Sequence, residues 1–402
     1  MAKLRHLWYR TYQAVMRAAS CFLDFSQPEL LEGPGSVRRL PAFIAAKGIR
    51  KVLVVTDKGL MAFRLLDGLF GELEAAGVAY ELYDGVQANP TIPNIEEARA
   101  LYEERGCQAI VAFGGGSSMD CAKAAGARAA NPRRSVRKMR GLLKVARRPP
   151  LLFAVPTTAG TGSETTLAAV VTDPETHEKY AINDPKLIPP YAVLDPELTV
   201  KLPAPITAAT GMDALTHAVE AYVGRSNTRN TAAMAEKAVR LVFANLEAAY
   251  RDGSNLEARS NMLLASYCGG VAFTRAYVGY VHAIAHNLGG LYGLPHGLAN
   301  AVILPYVLDY FGGAAQARLA ALAELAGLPC AGLDEAAKAE AFIAEIRAMN
   351  ARMSIPSKFA QIKEEDIPLL VRRALREANP LYPVPRIMDE ADCAALIRRL
   401  MA

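Results

Sequence analysis

From residue 51 onward, apolar residues come in short dense runs separated by stretches with helical spacing. Lys51 to Thr56, residues 79 to 83, Ala109 to Phe113, Leu151 to Val155, Ala168 to Thr172 and Tyr191 to Asp195 are such runs. Several are rich in β-branched residues, and each predicts a strand. Residues 60 to 76 and 95 to 106 lie between them and predict helices. Strands alternating with helices make a mostly parallel sheet covered on both faces. Pro196, Pro203 and Pro205 mark a boundary, and the strand pattern stops there. Residues 208 to 224, 229 to 251, 256 to 276, 278 to 288, 298 to 309, 315 to 327, 334 to 350, 364 to 377 and 388 to 400 all predict helices. The expected architecture is an α/β domain over residues 1–202 and an all-helical domain over 203–402.

Residues 1–25 carry a separate pattern. Leu4, Leu7, Trp8, Tyr12, Val15, Met16, Ala19, Phe22 and Leu23 form one apolar stripe, with Lys3, Arg5, Arg10, Gln13 and Arg17 mostly off it. The pattern predicts an amphipathic helix docked on its own domain or on a partner subunit. A helix lying on a membrane surface is the sharper alternative, because basic and aromatic residues suit one.

Composition narrows the class. The 402 residues are 52% apolar and 21% charged, ordinary for a globular protein, and the net charge is +5. No long basic block dominates, which argues against nucleic acid. The basic segment Arg133 to Arg148 predicts a solvated helix and loop. Cys21, Cys107, Cys121, Cys268, Cys330 and Cys393 include no CxxC pair, and fit buried thiols of a reducing compartment. No apolar run reaches the roughly 18 residues of a membrane helix. Arg17 and Asp24 interrupt what would be the core of a signal peptide. The expectation is a cytoplasmic protein with no membrane span.

Four of the six histidines fall in two short stretches. Asp213 and His217 are four residues apart, as are His282 and His286, so each pair shares a helix face. Gly289, Gly290, Gly293 and Pro295 predict a break, with His296 at a turn or a new helix start. Imidazole nitrogens with one carboxylate suit a divalent transition metal. Spacing alone does not say which of these histidines are ligands.

Two loops follow predicted strands. Gly114-Gly115-Gly116-Ser117-Ser118-Met119-Asp120 opens a helix. Glycines there let the backbone approach a phosphate, and the helix N-terminus supplies N–H groups. Asp120, three residues after Ser117, matches a capping box and is expected to be structural. Pro156-Thr157-Thr158-Ala159-Gly160-Thr161-Gly162-Ser163-Glu164 places small hydroxyl residues between glycines. Two such loops at strand ends point to one ligand crevice. Asp57, at the end of the first strand of the alternating region, would accept from a ribose hydroxyl and repel a 2′-phosphate. That favours NAD over NADP, while Lys58 beside it works the other way.

GGGSSMD, TTAGTGSE, GMDALTHAVEAY and HAIAHNLGGLYGLPHG together resemble the iron-containing (group III) alcohol dehydrogenases, and the likeness takes in Asn379-Pro380. The resemblance implies an N-terminal dinucleotide-binding domain and a C-terminal helical metal-binding domain, the fold shared with dehydroquinate synthase. It implies metal ligation by Asp213, His217, His282 and His296, by Fe²⁺ with Zn²⁺ as the alternative. His286 is then the catalytic candidate, near nicotinamide and substrate. Asp57, Asn89, Gly115, Gly116, Ser117, Thr157, Thr158, Thr161, Ser163 and Lys179 would line the cofactor site, for NAD with NADP as the alternative. The implied activity is hydride transfer between a primary or secondary alcohol and NAD(P)⁺, with the metal as Lewis acid on the substrate oxygen. The implied partner is a small alcohol or aldehyde, and the implied assembly a homodimer. A glycerol dehydrogenase and a dehydroquinate synthase-like lyase are the alternatives within the superfamily, and a non-enzymatic scaffold is a third. Ala276 to Tyr310 contains no Lys or Arg, which argues against a strongly anionic substrate held by this stretch.

Overall fold

The apolar runs become strands because both of their faces are covered. A computed structural model describes residues 2–176 and 178–402. Its strands are β1 (Glu29–Glu32), β2 (Lys51–Val55), β3 (Ala79–Tyr83), β4 (Ala109–Gly114), β5 (Gly141–Leu142), β6 (Leu151–Pro156), β7 (Ala168–Asp173), β8 (Glu178–Asn183) and β9 (Tyr191–Leu194). Among the described residues, six form one sheet in the order β1-β9-β6-β4-β2-β3, with every pairing parallel. Leu53, Val55, Ile110, Ala112, Leu152 and Ala154 enter one core. Their neighbours Val52, Val54, Val111, Phe113, Phe153 and Val155 enter a second core. This alternation, with neither face left to solvent, is what a parallel sheet between helices requires. A smaller sheet, β5-β8-β7, pairs β7 and β8 antiparallel.

The chain leaves β2 for β3 on one side and returns to β4 on the other. The strand order therefore reverses beside β2 and β4, where ligands of open α/β sheets bind. The register Gly114↔Pro156 brings β4 and β6 to an end at the same level. Both polar loops start from that edge.

The predicted strands are all present; β1, β5 and β8 are additional. The helix expected over 60 to 76 is two, Lys58–Ala62 and Asp67–Ala75. Arg64 adopts a left-handed φ of 56° between them, a conformation that ends a helix.

The chain divides into two compact units, Asp24–Lys201 and a helical unit of Met1–Leu23 with Leu202–Ala402. The first helix, Ala2–Ala19, thus packs with the helical unit, whereas the sequence pattern assigns it to the α/β domain. Arg10 donates to the carbonyls of Val384 (2.7 Å) and Pro385 (2.9 Å). Gln13 donates to those of Pro380 (3.0 Å) and Tyr382 (2.8 Å). These bonds to residues 380–385 are the reason for its placement.

Candidate active site

Within the helical unit, three helices carry the histidines: Ala204–Val223, Tyr280–Tyr292 and His296–Phe311. The expected break at Gly289 and Gly290 does not occur. The helix runs on to Tyr292 and ends at Gly293, whose φ of 69° suits its lack of a side chain. His296 then opens the next helix, after Pro295. The first and third helices meet closely at Gly297, where a Cβ would come within 2.4 Å of the Ala209 carbonyl oxygen. That contact brings His296 towards Asp213.

One ligand atom from each of Asp213, His217, His282 and His296 lies within 4.8 Å of the others. His296 Nε2 is 3.6 Å and His282 Nε2 4.0 Å from Asp213 Oδ1. Metal bonds of about 2.1 Å place tetrahedral ligand atoms about 3.4 Å apart, so the cluster is close to coordination spacing. The His217 ring stacks on Phe273 at 4.1 Å and on His282 at 4.6 Å.

Two groups that sequence reasoning missed complete the cluster. Glu220 accepts from the Gly279 and Val281 backbone N–H groups, each at 2.8 Å, and lies 2.6 Å from His282 Nδ1. Burial pushes its carboxyl up to about 8, against the pull of the backbone donors at Gly279, Val281 and His282. A Cβ at Gly279 would come within 2.6 Å of Glu220 Oε1. Burial, with His217, His296 and His286 nearby, holds the His282 imidazole well below its usual pKa, and therefore neutral. With Glu220 ionised, the neutral ring donates from Nδ1 and has its lone pair on Nε2, facing the cluster.

Asn300, fully buried, is the second. Its amide nitrogen donates to Asp213 Oδ1 at 2.7 Å and lies 3.1 Å from His282 Nε2 and 3.2 Å from His296 Nε2. The Asn300 amide nitrogen thus faces one carboxylate oxygen and two imidazole nitrogens converging on one point. Such a surplus of lone pairs fits a cation. Glu220 follows Asp213 by seven residues and Asn300 follows His296 by four, so helical spacing was the available signal for both.

His286 stands outside this set. Its ring stacks on His296 at 5.1 Å, and its Nδ1 is 2.7 Å from Glu377 Oε1. Tyr382 donates to the same oxygen at 3.0 Å. The His286 and Glu377 side chains are 26% and 30% exposed, so the chain of groups reaches from the cluster towards solvent.

In the α/β unit, the expected cofactor residues gather at the strand ends. Asn89 links two of them: its backbone N–H donates to Ser117 Oγ at 3.2 Å, and its Oδ1 accepts from Lys179 at 2.7 Å. The helix Gly116–Ala130 begins after Gly115 with no side-chain cap, which leaves its first N–H groups for an anion. A Cβ at Gly116 would sit 3.0 Å from Thr161 Cγ2, and one at Gly115 3.4 Å from Thr158 Oγ1. Thr157 is buried and donates from its backbone to the Gly114 carbonyl at 3.1 Å. Thr158 Oγ1 is buried without a partner. An uncapped helix start, a glycine-lined cradle and an orphaned hydroxyl fit a bound pyrophosphate. Asp57 caps the helix Lys58–Ala62 through Leu60 N–H at 3.0 Å, two residues beyond β2.

Two residues sit beneath the loops. Ser163 donates to Asp120 at 2.8 Å and lies 3.0 Å from Lys123 Nζ. Asp120 also accepts from Val170 N–H at 3.1 Å. The expected capping box does not form, because the helix starts at Gly116 with Gly115 at its N-cap, which puts Ser117 inside the helix, and the Asp120 carboxylate bonds Ser163 and Val170 instead. Lys123 reaches Thr166 and Ala168 as well, and burial lowers its pKa to about 8.

The iron-containing alcohol dehydrogenase family model matches residues 28–196, and the C-terminal model of the Fe-containing alcohol dehydrogenase family matches residues 207–401. The chain is 40% identical to 1,3-propanediol dehydrogenase of Klebsiella pneumoniae over 371 residues, 91% of this chain and 95% of that protein. It is 38% identical to NAD-dependent methanol dehydrogenase of Bacillus methanolicus over 379 residues, 94% of this chain and 99% of that protein. A crystal structure of 1,3-propanediol oxidoreductase superposes with a TM-score of 0.91 at 39% identity, covering 94% of this chain and 100% of that one. The chain belongs to the iron-containing alcohol dehydrogenase family. It is an oxidoreductase that interconverts alcohols and aldehydes.

Proposed function

We propose that Asp213, His217, His282 and His296 hold one divalent ion, Fe²⁺ with Zn²⁺ as the alternative. We propose further that Asp57, Asn89, Gly115, Gly116, Ser117, Thr157, Thr158, Thr161, Ser163 and Lys179 form the site for NAD. The observation that carries the metal assignment is the convergence of Asp213 Oδ1, His282 Nε2 and His296 Nε2 on the Asn300 amide. The chemistry supplied by the two groups when bound is Lewis acidity towards an alcohol or carbonyl oxygen and reversible hydride acceptance.

The chain's own residues do the rest. Asp213 contributes the one negative charge of the ligand set, and Glu220 fixes the His282 tautomer through Nδ1. His286 exchanges the alcohol proton, with Glu377 and Tyr382 orienting its ring and leading towards solvent. Ser163 supports the loop from below, through Asp120 and Lys123. The relatives' names point to short primary alcohols, diols and hydroxyaldehydes as the substrate class. The reading includes Asp24–Lys201 as the cofactor domain and the helical unit, which takes in the first helix, as the metal domain, together with a homodimer and a cytoplasmic location in keeping with the free cysteines.

His282→Ala removes an inner ligand and is expected to lose most of the bound metal. Elemental analysis checks it: one metal per chain with full turnover in that variant would overturn the assignment. Nicotinamide absorbance over a panel of alcohols and aldehydes, with enzyme reloaded with Fe²⁺ or Zn²⁺, checks the substrate class.

A further inference from the structure

The helix Ala2–Ala19 is held to its own chain through a mixed face on which polar side chains make the hydrogen bonds. Gln13 is buried, and Arg10 and Gln13 make the hydrogen bonds to residues 380–385. His6, Tyr9, Arg10 and Met16 are half-buried on the same side. Part of the apolar stripe faces out: Leu4 is 72% exposed, Leu7 63%, Trp8 57% and Val15 60%, and Phe22, just past the helix, is 91% exposed. At about 100° per residue, Leu4, Leu7, Trp8 and Val15 fall within one arc of about 100°. The expected stripe is therefore split: Tyr12 and Met16 are half-buried, while Leu4, Leu7, Trp8 and Val15 face away from the chain the helix is docked on. With Phe22 these are five exposed large apolar side chains on one side of the helix, the kind of patch that marks an interaction site. The matches to the family models begin at residue 28, so the helix lies outside the part of the chain to which the activity is assigned.

The charges around the stripe select its occupant. Residues 1–23 contain Lys3, Arg5, Arg10 and Arg17 and no Asp or Glu. Lys3 and Arg17 flank the stripe on one side and Arg5 on the other, all three exposed. A second copy of the helix would set like charges against each other, and the five exposed apolar side chains fall short of the roughly 20–30 residues per partner of a stable interface. A protein groove would need to enclose the helix, but its inner half is already occupied by residues 380–385. A flat anionic surface needs neither shape complementarity nor an enclosed helix. It accepts leucine and aromatic side chains at the acyl boundary and flanking cations among its headgroups. We infer that this helix docks the protein onto an anionic lipid bilayer, lying on it rather than crossing it. No helix among the described residues is long and apolar enough to cross.

Flotation of the full chain with phosphatidylcholine vesicles, with and without one quarter phosphatidylglycerol, tests this. The wild type is expected to float with the anionic vesicles, at least tenfold less with the neutral ones, and less in 0.5 M salt. The double variant Leu7→Glu and Trp8→Glu is expected to stay in solution with its turnover unchanged, which also shows that it folds. Three results would overturn the inference: a wild type that stays in solution, a variant that floats equally well, or equal binding to both vesicle types. Size-exclusion chromatography without lipid covers the other occupant. A wild type whose oligomer falls apart in the double variant, with no vesicle binding, would assign the stripe to a second copy.

Discussion

His286 lies one helical turn after His282, yet its hydrogen bond runs to Glu377 and not into the four-ligand cluster. That difference separates two otherwise similar substitutions. His282→Ala removes a proposed inner ligand, whereas His286→Ala removes a group whose partners are Glu377 and the faces of neighbouring imidazoles. His286→Ala is expected to retain stoichiometric metal and lose on the order of a hundredfold in kcat, the usual contribution of a positioned acid–base group. Glu377→Gln should lose less, because it removes the charge that orients the ring and leaves the imidazole in place. Metal content and a pH–rate profile on the two purified variants check this. Near-wild-type kcat across pH in metal-replete His286→Ala would remove the residue from the reaction.

At the scale of elements, the proposed cofactor site is a set of strand ends. Its selectivity is expected to rest on Asp57, held at the start of a short helix by its bond to Leu60 N–H. Asp57→Gly should relax the preference for NAD, since a 2′-phosphate no longer meets that carboxylate. Steady-state kinetics with both cofactors decide it, and a wild type with higher kcat/KM for NADPH would show that Lys58 or another cation prevails. The elements that build this site were legible because β2, β4 and β6 are buried on both faces and so read as unbroken apolar runs. β1 was not, because its four residues Glu29–Glu32 carry a charge at each end and occupy a sheet edge. In the helical unit, spacing showed the histidine pairs but not the closing of the cluster. That closing depends on the contact at Gly297 and on Glu220 and Asn300, which meet the ligands only once three helices pack. Glu377 had no local signal at all, being 91 residues from His286. The stripe of the first helix was visible, but its direction was not. Periodicity gives the width of an apolar face, and the polar bonds to residues 380–385 decide which way it points.

At the scale of the whole molecule, the proposed ligand set joins the three helices Ala204–Val223, Tyr280–Tyr292 and His296–Phe311, so an ion held there is expected to stabilise the helical unit as well as act on substrate. Binding to the folded chain alone at a hundredfold excess over Kd contributes about 2.7 kcal/mol. For a unit of this size that corresponds to roughly 5–10 °C in Tm. Chelation should lower Tm by that amount and reloading should restore it. His282→Ala should show no such difference, and His286→Ala should keep it. Acid should act in the same direction as chelation. Burial and the neighbouring imidazoles hold His282 neutral in the folded chain, below its ordinary value of 6.5. As pH falls through that value the unfolded chain takes up a proton that the folded chain refuses, so the stability present above it is progressively lost. Scanning calorimetry of metal-loaded and metal-free protein between pH 8 and pH 5 tests both effects. A Tm that ignores the metal, in protein shown by elemental analysis to bind and release it, would place the ion outside these three helices.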